Sequence, residues 1–99
     1  MATYDENSVV HQGNLKKMNE YYMKQVRMFV LKGNGEMKYY KNESLHRGSI
    51  MLDKMSRVIK TSKTSFEIVT PNRTWYLYEV DTNTIDAWIN ALDSVISRL

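Results

Sequence analysis

Short apolar runs recur along the chain at intervals of about ten residues, each bounded by polar or turn-forming residues. That is the rhythm of an antiparallel sandwich or barrel. Gln12 to Met18 carries Leu15, and Met23 to Lys32 (MKQVRMFVLK) is rich in Val, Phe and Leu. Lys32-Gly33-Asn34-Gly35 is a hairpin signal, because Asn and Gly tolerate positive φ, and Glu36 to Lys41 (EMKYYK) is its partner strand. Arg47 to Leu52 (RGSIML) follows a polar loop, and Ser56 to Lys60 (SRVIK) is a short run. Ser65 to Thr70 (SFEIVT) puts Phe66, Ile68 and Thr70 on one face and Ser65, Glu67 and Val69 on the other. Pro71-Asn72 makes a turn before the last strand, Thr74 to Val80 (TWYLYEV).

The period then changes. Ile85, Trp88, Ile89, Leu92, Ile96 and Leu99 recur at steps of three and four, with Asp86, Asn90, Asp93 and Ser97 on the other side. This predicts a helix with one apolar stripe, its start capped by Asp81 or Thr82. The predicted fold is mainly β: seven antiparallel strands in a barrel or sandwich, plugged by one C-terminal amphipathic helix. Residues 1–10 are polar and expected to fray, and residues 11–99 form a single domain.

Composition narrows the function classes. A chain of 99 residues buries roughly two-thirds of its unfolded surface, enough for one modest core. At 42% apolar and 11% aromatic it is not disordered by composition. With no cysteine there is no disulfide framework and no thiolate metal site, and His11 and His46 lack a ligand set, so neither metal nor cofactor is implied. The apolar runs are too short to cross a membrane and the N-terminus has no apolar leader, so a cytoplasmic domain is expected. Asn42-Glu43-Ser44 and Asn72-Arg73-Thr74 match the glycosylation sequon, which matters only in a secreted chain. No Ser-His-Asp set or paired-carboxylate motif is visible, and Gly33-Asn34-Gly35 lacks the Lys-Ser/Thr of a phosphate loop. A binding module is expected rather than an enzyme.

Charge gives that module a direction. Residues 14–63 hold 12 of the 14 Lys and Arg against four acids, a net +8, whereas the flanking segments are net acidic. The overall +3 therefore conceals an asymmetry that can steer part of the protein towards an anionic partner.

Several segments resemble the pleckstrin homology (PH) domain over about residues 11–98. Gly13-Asn14-Leu15-Lys16-Lys17 is similar to that family's G-x-L-x-K opening strand, and Arg27-Met28-Phe29-Val30-Leu31 to its R-x-F-x-L second strand. Met37-Lys38-Tyr39-Tyr40, Gly48-Ser49-Ile50, Phe66-Glu67-Ile68 and Arg73-Thr74-Trp75-Tyr76-Leu77 follow in the family's order. Trp88 matches the family's most characteristic residue. The stretch TPNRTWYL resembles the PH domain of phosphoinositide-dependent protein kinases, although no kinase motif lies in this chain.

The resemblance implies a phosphoinositide pocket at the open end of the barrel, and recruitment of a parent protein to the inner face of a membrane. Inositol phosphates need several cations on separate elements, so that neighbouring phosphates are gripped together. Lys17 shares a strand face with Leu15, and Arg27 with Phe29 and Leu31, so both emerge near the rim if those faces turn inward. The bland alternative is a solvated basic sheet face. Tyr39 is either a hydroxyl donor to phosphate or one of a cross-strand aromatic pair. By resemblance, Arg47 opens the fourth strand and reaches a phosphate from the side. Arg73 starts the last strand and is carried over from the kinase-type subgroup alone. Either can instead be a turn residue.

Gln25 departs from the family's K…[K/R]-x-R pattern. It stands two before Arg27 where lipid-binding members carry a cation, and Lys24 falls on the opposite strand face. An amide still hydrogen-bonds phosphate but supplies no charge. Gln25 therefore motivates the alternative, a protein-interaction module with weak lipid binding. Tyr21, Tyr22 and Met23 in the first loop can dip into a membrane interface, or else Tyr22 or Met23 packs on the barrel rim. The partners implied are membrane phosphoinositides or soluble inositol phosphates, with a protein partner as the alternative. Nucleic acid is not implied, since the aromatic-rich signature of RNA-binding sheets is missing, and a monomer is expected.

Overall fold

The structure, a computed structural model, describes residues 7–42 and 44–99. Seven strands precede one helix: β1 (Val9–Met18), β2 (Lys24–Lys32), β3 (Glu36–Asn42), β4 (Leu45–Met51), β5 (Arg57–Ser62), β6 (Ser65–Val69), β7 (Thr74–Glu79) and α1 (Ile85–Ile96). They form one antiparallel sheet in the order β4-β3-β2-β1-β7-β6-β5. β1 is the pivot, pairing along its length with β2 and, over Leu15 to Lys17, with β7. It begins at Val9, earlier than the expected Gln12, and so takes in the last two residues of the segment expected to fray. The rest of that segment, residues 1–6, lies outside the described residues.

Alternation decides what is inside. Leu15, Phe29, Leu31, Met37, Ile50, Phe66, Ile68 and Leu77 are all buried, each on the inward face of its strand. Trp88 (1% exposed), Ile85, Leu92 and Val95 close the core from α1, which lies over β5, β1 and β6. Leu99, expected at the end of the helical stripe, lies past the helix and is exposed. Neither Asp81 nor Thr82 caps the helix. The N-cap is Thr84, which makes no side-chain cap bond; its hydroxyl donates to the Asp81 carbonyl at 2.7 Å. The β2–β3 hairpin closes as expected, with Gly35 taking the positive φ (+93°). A β-carbon there would also press on the Leu52 carbonyl at 3.0 Å.

The antiparallel order brings the β1–β2, β3–β4 and β6–β7 connections to one end. The candidate residues gather there. No helix among the described residues is long and apolar enough to cross a membrane.

Candidate functional site

The site starts from strand register. Lys17 on β1 pairs directly with Gln25 on β2, and Leu15 with Arg27. Because Leu15 faces the core, Arg27 and, two residues further along β1, Lys17 with Gln25 must share the inward face at the rim. Phe29 pairs with Tyr39, and Tyr39 with Gly48 on β4, which brings Tyr39 to the same face. Lys17, Gln25, Arg27, Tyr39 and Arg47 line one cavity of about 270 Å³. Five of the six predicted site residues thus converge.

Arg47 reaches the cavity by a route that alternation does not give. Tyr39 pairs with Gly48 but Tyr40 pairs with His46, so Arg47 is the extra residue of a β-bulge. Simple alternation from the inward-facing Gly48 would send Arg47 outward. A bulge re-aims the side chain. Arg47 is therefore the third residue of β4 and not its first, as the sequence suggested. Gly48 matters for the neighbouring group, since a β-carbon there would stand 2.5 Å from the Tyr39 hydroxyl.

Lys17 is the most confined cation, only 8% exposed. Its ammonium lies 5.2 Å from the Tyr39 ring centre and 5.9 Å from that of Trp75. Phe29, Tyr39 and Trp75 form a continuous aromatic floor, with centroid separations of 5.5 and 5.9 Å. Burial, followed by the charges of Arg73 and Arg27, pushes the Lys17 pKa below the usual lysine value. Arg27 donates from Nη1 to the Val26 carbonyl at 2.8 Å, while its Nε is buried with no hydrogen-bond partner among the described residues. A buried guanidinium N–H with no acceptor is costly and suits an incoming anion. Three cations and a phenol around a small cavity free of carboxylates can grip clustered phosphates.

Arg73 is not brought into this cavity. It precedes β7 in the turn closed by Thr70, whose backbone N–H and hydroxyl both donate to the Arg73 carbonyl at 2.8 Å. Its guanidinium stacks on Trp75 at 3.7 Å from the ring centre. Trp75 is the participant that sequence reasoning missed. An inward aromatic two residues after Arg73 was the available signal, but it reads equally as core. Lys24 lies on the outer face as expected, its ammonium 4.1 Å from the Tyr78 ring centre.

The β1–β2 turn presents its aromatics to the outside. Tyr21, Tyr22 and Met23 are 75%, 83% and 63% exposed, so neither Tyr22 nor Met23 is packed away on the rim. Asn19 holds the turn, its Oδ1 accepting from the N–H groups of Tyr21 and Met23 at 2.9 and 3.0 Å, with Tyr22 at φ +62°.

A family model of the PH domain matches residues 2–99. The chain belongs to the PH domain family. PH domains are non-catalytic modules, and this chain is one of them. The C-terminal PH domain of pleckstrin, solved with D-myo-Ins(1,2,3,4,5)P5, is similar with a TM-score of 0.79 and 24% identity. That alignment covers 89% of this chain and 98% of the other. The solution structure of the human pleckstrin C-terminal PH domain gives 0.81 and 20%, over 98% and 86%. The PH domain of human oxysterol-binding protein-related protein 11 gives 0.74 and 22%, over 89% and 80%. No curated protein sequence matches this PH domain.

Proposed function

We propose that this PH domain binds the phosphorylated headgroup of an inositol lipid in the Lys17–Arg27–Arg47 cavity, and so holds its parent protein at a membrane surface. The observation that carries the reading is the convergence of three cations, Tyr39 and Gln25 on one cavity, with a buried Arg27 Nε left without an acceptor. The pleckstrin C-terminal PH domain has been solved with two different inositol pentakisphosphates, which supports this ligand class. The exposed Tyr21-Tyr22-Met23 tip beside the cavity suits insertion into a membrane interface, where amphipathic aromatics are favoured. Calorimetric titration with a soluble inositol tetrakisphosphate tests the reading. Lys17→Ala with Arg27→Ala should abolish the heat, and unchanged binding would place the ligand elsewhere.

Gln25 supports a second reading. It occupies the inward position directly across from Lys17 without adding charge, so the cavity is less cationic than the lipid-binding pattern implies. In that reading the domain contacts a protein, and vesicles at physiological salt would not retain it.

A further inference from the structure

An amine attacks a carbonyl carbon only in its deprotonated form, and the surroundings of Lys17 favour that form. Lys17 is buried, and no carboxylate lines the cavity it shares with Arg27 and Arg47. None pairs with it among the described residues, whereas Lys60 lies 2.8 Å from Asp86 and Lys38 3.9 Å from Glu36. On its far side Lys17 borders a larger cavity, of about 550 Å³, where Arg73 and the exposed Glu20 are among the lining residues. Burial first, then Arg73 and Arg27, lower its pKa. The rings of Tyr39 and Trp75, at 5.2 and 5.9 Å, stand near the outer limit of about 6 Å for attracting a cation. Desolvation and neighbouring cations are what make a lysine nucleophilic.

We propose that Lys17 captures small phosphorylated aldehydes covalently, as an imine, with the phosphate held on Arg27 and Arg47. This rests on the reading of the cavity as a phosphate site, and it adds a bond that an inositol phosphate, having no carbonyl carbon, does not form. The two guanidinium groups fix the anion beside the amine, so that attack becomes effectively unimolecular. The neutral amine attacks the carbonyl carbon and a C–N bond forms. The carbonyl oxygen takes up two protons, one from the amine nitrogen and one matching that shed by the ammonium, and leaves as water. The ammonium has then become an iminium, so charge is unchanged and nothing is oxidised or reduced. The bound phosphate offsets the iminium charge, and the adduct fills the space a headgroup would need. At about 270 Å³ the cavity lies just under the usual range for ligand pockets, from about 300 Å³, which suits a small molecule of this kind.

Pyridoxal 5′-phosphate is the probe, with pyridoxal as its phosphate-free counterpart. Each is incubated with the full chain, the imine is fixed with borohydride, and labelling at every lysine is read by peptide mass spectrometry. With pyridoxal 5′-phosphate, Lys17 should be labelled ahead of exposed lysines such as Lys24 and Lys54. It should also be labelled about tenfold more than with pyridoxal, the margin that one charge-assisted contact supplies. Arg27→Gln with Arg47→Gln should bring the two probes level at Lys17. Lys17→Arg should remove that label and leave those on Lys24 and Lys54. An excess of a soluble inositol tetrakisphosphate should protect Lys17. The proposal is overturned if Lys17 is labelled no more than Lys24 and Lys54, if the arginine variant keeps the preference, or if bound inositol tetrakisphosphate leaves the label undiminished. It is overturned equally if pyridoxal labels Lys17 as readily in the native protein, a comparison that needs no variant to fold. Calorimetry reports separately on the proposed function. An inositol tetrakisphosphate that neither binds nor protects defeats that function, while phosphate-dependent labelling of Lys17 still upholds the imine site.

Discussion

Lys17 and Gln25 stand directly opposite each other across the β1–β2 ladder, both facing the cavity at the open end. The pairing explains how a nearly buried lysine coexists with two arginines that already depress its pKa. A third cation at position 25 would add repulsion at cross-strand distance. Gln25→Arg should therefore lower the melting temperature of the free protein. It should also tighten inositol polyphosphate binding about tenfold, since one charge-assisted contact contributes about 1.5–3 kcal/mol. Thermal unfolding with and without ligand checks both.

The Tyr39–Gly48 contact makes a steric prediction. A methyl group at position 48 would meet the Tyr39 hydroxyl and ring at 2.5 and 2.7 Å, so the ring must move. Gly48→Ala should cost about 1–3 kcal/mol in urea unfolding, as overpacking does, and weaken phosphate binding. Tyr39→Phe keeps the ring and its contacts with Phe29 and Trp75. It should retain stability while losing the part of the affinity that the hydroxyl supplies.

Lys17 sets the alkaline limit of binding. Its pKa in the free protein lies below 10.5, through burial first and the two arginines second. A bound anion raises it again. Affinity is thus complete below the free-state pKa and is lost as pH rises through it, earlier than for an ordinary lysine. Stability of the free protein moves the other way, rising with pH over the interval from the lowered pKa to 10.5, where the unfolded chain binds more protons. Calorimetry across alkaline pH measures the first effect. Lys17→Arg should flatten it.

His11 packs edge-on against Trp88 with ring centres 4.4 Å apart, and burial lowers its pKa below 6.5. Its contribution to stability is complete above pH 6.5 and falls as pH drops through the folded-state pKa, because a cation must then be held against the core. Denaturant midpoints measured from pH 7.5 towards pH 5 should decline in the native protein, and less in His11→Gln.

Strand number, helix and most of the site were legible because alternation and register are local properties. Leu15, Phe29 and Leu31 fixed the inward face, and Lys17, Gln25 and Arg27 followed from it at the rim. What escaped depends on irregularity or on distant segments. Arg47 is aimed by a bulge that leaves no mark in the period of β4. The N-cap falls at Thr84 and not at Asp81 or Thr82, after a turn in which Asn83 takes φ +62°, a conformation that the helical period does not reveal. That Arg73 lies beyond Lys17, in a separate cavity, depends on where the β1–β2 turn stands between them. Trp75 was hidden because an aromatic on an inward face looks the same whether it fills a core or floors a site.

The central claim is that Lys17, Gln25, Arg27, Tyr39 and Arg47 form one phosphate-binding cavity. Backbone and side-chain NMR shifts, followed during titration with a soluble inositol tetrakisphosphate, test it most directly. Saturable shifts should centre on those five residues, including the Arg27 Nε–H resonance. Shifts centred instead along β5 and α1, or none at all, would contradict it.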